Sequence, residues 1–136
     1  MTMETLRPEI RWAIEAAQDK QAIDITVLNL TGTGAFADYF LVCSGQSTPQ
    51  LQAIGEAIED RLIREGVHLT HREGKSGAEW VLLDYGAYVV HIFSDRARQY
   101  YDLERLWRSS AGRIDISSPE KPSQPRVEAD DGTIAL

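Results

Sequence analysis

The sequence predicts an α/β fold: a single domain built on one mixed sheet of about five strands with flanking helices. Three observations carry that reading. Apolar residues recur at helical spacing in three separate stretches. Between them lie β-branched and apolar runs of strand length. The order is helix, two strands, helix, three strands, helix, with turn residues at the joints, which is how a chain covers a sheet with helices.

The first helix is marked by Leu6, Ile10, Ala13, Ile14 and Ala17, with Thr5 as its cap and Pro8 in the tolerant first turn. Residues 23–30 read as a strand, with Asp24 and Thr26 on one side and Ile25 and Val27 on the other. The glycines in residues 31–34 signal a turn. Residues 39–43 are continuously apolar, as a central strand buried on both faces should be. Ser47 or Thr48 caps the second helix, Pro49 presets its first turn, Leu51, Ile54, Ile58 and Leu62 form its buried stripe, and Gly66 ends it. Val67, Leu69 and His71 alternate with His68, Thr70 and Arg72 along a half-exposed strand. Residues 80–83 and 88–93 flank residues 84–87 as a hairpin. Ser94 or Asp95 opens a last helical segment through Leu103, Leu106 and Trp107.

The chain has 136 residues, enough for one domain that needs no disulfide or metal to hold it. Cys43 is the only cysteine, which excludes an internal disulfide and a multi-cysteine zinc site. No apolar run is long enough to span a membrane, and no secretory signal is evident, so a cytoplasmic protein is expected. The net charge of −7 argues against attraction to nucleic-acid backbones, DNA included, and favours a basic protein partner or a small ligand. Residues 1–112 form the folded body. Three of the five prolines fall among Ser, Glu and Lys beyond it, so residues 113–136 are expected to be a disordered tail. The body still carries 11 basic and 16 acidic residues, so the tail does not explain the acidity.

Chemistry is sparse. Ser44, Gly45 and Ser47 form a strand-to-helix turn whose backbone donors can hold an anion, and a glycine–serine turn also suits a nucleotidyltransferase loop. Nucleotidyl transfer needs paired carboxylates for magnesium, and Asp24, Asp38 and Asp84 are each followed two residues on by Thr26, Phe40 and Gly86 instead. Helix capping alone accounts for the turn. His68 and His71, three apart on a strand, point to opposite faces, and His91 fits a core position, so no metal site and no cofactor are expected. Cys43 has no base beside it, and no serine sits in a nucleophile elbow. Trp80, Asp84 and Tyr85 at the hairpin are open to two readings: lid, turn former and filler, or a binding patch in which the aromatics anchor and the carboxylate accepts from a cation.

Four blocks in order decide between them. They are residues 37–45; Arg72-Glu73-Gly74 followed by residues 79–86; residues 89–93; and Arg98 with residues 101–107. Over about residues 5–108 the chain resembles the ribosomal silencing factor (Iojap) family. The resemblance implies a nucleotidyltransferase-like core without catalytic acids, and no enzymatic activity. It implies binding to ribosomal protein L14 (uL14) on the large subunit, where the factor blocks joining of the small subunit and lowers translation when nutrients are scarce. The contact residues it implies are Trp80, Asp84 and Tyr85, with Leu83 and Glu73 beside them. The family sometimes forms homodimers, minor rRNA contacts near the docking face are left open, and nothing carries over to residues 113–136. A small nucleotidyltransferase, an anion sensor at the Ser44-Gly45 turn and an RNA-binding module are the competing readings, the last disfavoured by the acidic charge and the missing aromatic pattern.

Overall fold

The computed structural model describes residues 6–102, 105 and 112–116. The elements run α1 (Pro8–Asp19), β1 (Ile23–Asn29), β2 (Tyr39–Gly45), α2 (Thr48–Arg64), β3 (His71–Glu73), β4 (Trp80–Asp84), β5 (Tyr88–Ser94), α3 (Asp95–Tyr101) and β6 (Gly112–Ile116). The order read from the sequence holds, with one strand added. Residues 112–116 pair antiparallel with β1, so the sheet has six strands rather than five and order continues past the expected boundary at residue 112. The reason is local. Ile114 and Ile116 alternate with Arg113 and Asp115 and pack on the core, an alternation that averaging over a polar tail conceals. The rest of the expected tail, from residue 117, lies outside the described residues.

The strand expected over residues 67–72 shrinks to β3, because Val67 and Leu69 pack against the core from irregular chain. The N-cap position of α1 is Arg7, which makes no side-chain cap bond. Thr5, proposed for that role, lies outside the described residues, as do Leu103, Glu104, Leu106 and Trp107. Ser47 caps α2 by accepting the Gln50 N–H at 3.2 Å, and Gly66, at φ +86°, turns the chain away from its end.

The sheet order is β3-β4-β5-β2-β1-β6, with β2 and β5 parallel and every other pair antiparallel. The apolar run at residues 39–43 therefore does lie centrally, between β5 and β1. The two faces of the sheet differ. On one, α1 and α2 share a broad core with Ile25, Val27, Leu41, Cys43, Val81, Leu83, Val90 and Ile92. On the other, Ala97 of α3 packs with Val42 and Phe93, and Phe40 and Trp80 lean against that smaller cluster.

β1 carries a bulge between Ile23 and Thr26, and Asp24 there is left-handed at φ +51°. Arg98 of α3 holds the bulge from outside. Its Nη1 donates to the Asp24 carbonyl at 2.7 Å and to Ser44 Oγ at 3.0 Å. Arg98 thus acts as a staple between helix and sheet.

Candidate functional site

The alternation of β4 sorts its residues. Val81 and Leu83 are fully buried toward the helices, while Trp80, Leu82 and Asp84 stand half-buried on the other face. Antiparallel register extends that face in both directions. Glu73 pairs with Leu82 and His71 with Asp84 on the edge strand; Phe93 pairs with Trp80, His91 with Leu82 and Val89 with Asp84 on β5. The result is an aromatic and aliphatic strip bordered by exposed Glu73 and His71, whose side chains are hydrogen-bonded to each other.

The hairpin turn is built by Asp84, whose Oδ1 accepts the Gly86 N–H at 2.8 Å, and closed by the Tyr85 N–H bonding to the Tyr88 carbonyl at 3.0 Å. At the strand's other end, Glu79 accepts from Ser94 Oγ at 2.8 Å and pairs with Arg96. Arg96 first, then Ser94, holds the Glu79 carboxyl below the usual range. Trp80 is fixed between these anchors. Its ring lies 4.5 Å from Tyr101 and 5.0 Å from Phe93, centroid to centroid, and its Nε1–H donates to His91 Nδ1 at 3.1 Å.

His91 is 5% exposed. Phe40, Val42, Trp80, Leu82 and Phe93 surround it, none of them charged, and Phe40 meets its ring edge to face at 4.5 Å. Burial pushes its pKa down to about 4, so the ring is neutral. In the unfolded chain the same group titrates near 6.5. Between those values the unfolded chain binds more protons, so stability rises with pH. The contribution is complete above about pH 6.5 and is lost as pH falls to about 4, a difference of about 3 kcal/mol. Denaturant unfolding of the wild type is expected to show this loss between pH 6.5 and 4.5, and His91→Asn to flatten it; parallel profiles would contradict the assignment.

The structure divides the expected contact residues. Trp80, Asp84 and Glu73 share one face of the sheet. Leu83 does not join them: at 0% exposure it packs in the helical core, because it is one residue out of phase with Trp80 and Asp84, and it is withdrawn as a contact. Tyr85 leaves the turn toward the helical side. It stacks on Tyr88 at 5.2 Å and lines a shallow cleft of about 200 Å³ with Glu59, Asp60, Ile63, Val67 and Leu69. Burial, and then Glu59, raises its phenol pKa well above the ordinary value. The sequence reading missed Leu82, Phe40 and the Trp80–His91 bond.

The turn at Ser44, Gly45 and Ser47 is already filled. The carboxamide of Gln50 occupies it: Oε1 accepts the Gln46 N–H at 2.6 Å, and Nε2 donates to the Lys20 and Gln21 carbonyls. Ser44 is fully buried, with its Oγ taken by Arg98, and Ser47 Oγ caps α2. Even a methyl group at Gly45 would lie 2.8 Å from Leu51 Cδ2. The Gln46 N–H and both serine hydroxyls are therefore engaged within the chain, so packing and capping account for the turn without an anion. Cys43 is buried, and burial pushes its thiol pKa up to about 12, which suits packing rather than nucleophilic attack. Among the described residues no cluster of His, Cys, Asp or Glu is placed to hold a metal ion, and no helix is long and apolar enough to cross a membrane.

The family model described as ribosomal silencing factor during starvation matches residues 3–134. The chain belongs to the ribosomal silencing factor family. The match runs well past the end near Trp107 that the motif blocks suggested. Ribosomal silencing factor RsfS of Bacillus subtilis is 44% identical over 98 residues, which cover 72% of this chain and 83% of that protein. A mouse protein named mitochondrial assembly of ribosomal large subunit protein 1 is 30% identical over 106 residues, covering 73% of this chain and 45% of its own length. A crystal structure of a Chromobacterium violaceum protein superposes with a TM-score of 0.72 at 29% identity, over 88% of this chain and 98% of that one.

Proposed function

We propose that this chain represses translation by binding ribosomal protein uL14 on the large subunit and excluding the small subunit from the same surface. The observation that carries the reading is the half-buried Trp80 beside α3, on a strand face it shares with the carboxylates Glu73 and Asp84. A flat aromatic held rigidly with area still uncovered is the kind of group that anchors protein interfaces. Acidic groups at its border complement a basic partner, speeding encounter and setting orientation. The family name supports ribosome association, and the mouse relative's name points to the large subunit.

The action is steric and follows mass action between two competitors for one surface. It needs no bond-making step, and we read the protein as a cytoplasmic regulator rather than an enzyme. Tyr85 is a peripheral contact at the end of the hairpin in this reading. Titrating purified uL14 with the chain tests it: saturable 1:1 binding that weakens with salt is expected, and absence of binding at low salt would overturn it. Light scattering on the same preparation reports whether two copies associate.

A further inference from the structure

We propose that His91 is the positioning residue for Trp80: its neutral imidazole accepts the indole N–H and so fixes the half-buried ring in the orientation that docking uses. This rests on the reading of Trp80 as the contact anchor. The geometry of the pair is specific. Trp80 Nε1–H donates to His91 Nδ1 at 3.1 Å, which places the imidazole proton on Nε2. That nitrogen is buried with no hydrogen-bond partner among the described residues. Phe40, Phe93 and Trp80 pack around the ring.

A half-satisfied imidazole is a costly choice for so apolar a place, since an unpaired buried donor is penalised. A somewhat larger phenyl ring would fill the place without that penalty. What histidine supplies and phenylalanine lacks is an acceptor beneath the indole. Without it the indole N–H is either left unpaired or turns toward water, and the ring loses a single defined orientation. Tyr101 and Phe93 then meet the indole only through tilted ring contacts, which do not fix its rotation. The cross-strand register makes the arrangement possible, because His91 lies opposite Leu82, diagonal to Trp80 on the same face.

The test compares His91→Phe, which keeps the ring and removes the acceptor, with His91→Asn, whose amide oxygen can replace Nδ1. Affinity for uL14 and the indole N–H resonance of Trp80 are measured on each, with circular dichroism as the check on folding. His91→Phe is expected to weaken binding about tenfold and to shift the indole resonance, and His91→Asn to stay within about threefold of wild type. Wild-type affinity for His91→Phe, alongside lost affinity for Trp80→Ala, overturns the positioning role and leaves the contact reading standing. Wild-type affinity for Trp80→Ala overturns that reading itself. Should His91→Phe not fold, hydrogen exchange on the wild type decides: a protected Trp80 indole N–H supports the proposal, and one exchanging as freely as exposed indole overturns it.

Discussion

Trp80→Ala is expected to weaken binding to uL14 by at least about 30-fold, or about 2 kcal/mol, while leaving a folded chain. The expectation comes from how Trp80 is held. Part of its surface is already buried against Phe93 and Tyr101, and the indole is bonded to His91, so the ring does not have to be ordered at the moment of docking. The uncovered part is what a partner can still bury. The same contacts mean that the substitution also costs stability, so the melting temperature falls, and affinity must be measured well below it. Native circular dichroism with unchanged affinity would show that the indole serves only as a lid on the smaller cluster of Val42, Phe93 and Ala97.

Leu83→Ala is expected to give the opposite profile. Removing a fully buried leucine from the helical core costs about 2–5 kcal/mol in unfolding free energy. Its effect on affinity, at temperatures where the variant remains folded, is expected to stay within about threefold, because the side chain points away from Trp80 and Asp84. Denaturant unfolding and a uL14 titration on one preparation separate the two effects. A stable Leu83→Ala with lost binding would mean that the contact lies on the helical side of the sheet, near Tyr85.

Much of this was legible in the sequence because it is encoded locally. Ser47 and Gly66 mark α2 by chemistry that needs no tertiary context, and the turn at residues 84–87 fixes the β4–β5 register. That register, combined with period-two alternation, already places Trp80, Leu82 and Asp84 opposite Phe93, His91 and Val89. The Trp80–His91 bond could have been drawn from it, and Leu83 struck from the contacts. Other features are not local. Gln50 fills the Ser44–Ser47 turn by reaching carbonyls 29 and 30 residues away, and spacing within the turn says nothing of that. Strand β6 exists because β1 offers it an edge, so its five residues look like tail until the partner is in view. Arg98 reaches a bulge 74 residues distant, where a helix-surface reading would leave it in solvent.

The central claim is that an aromatic and acidic sheet face excludes one ribosomal subunit from the other without altering either covalently. Purified large and small subunits, mixed in the presence of increasing amounts of this chain and separated by sedimentation, test it most directly. The account predicts that joined ribosomes disappear in favour of separate subunits, with the chain migrating on the large one and Trp80→Ala needing a much higher concentration for the same effect. Undiminished joining at a concentration that saturates the large subunit would contradict it.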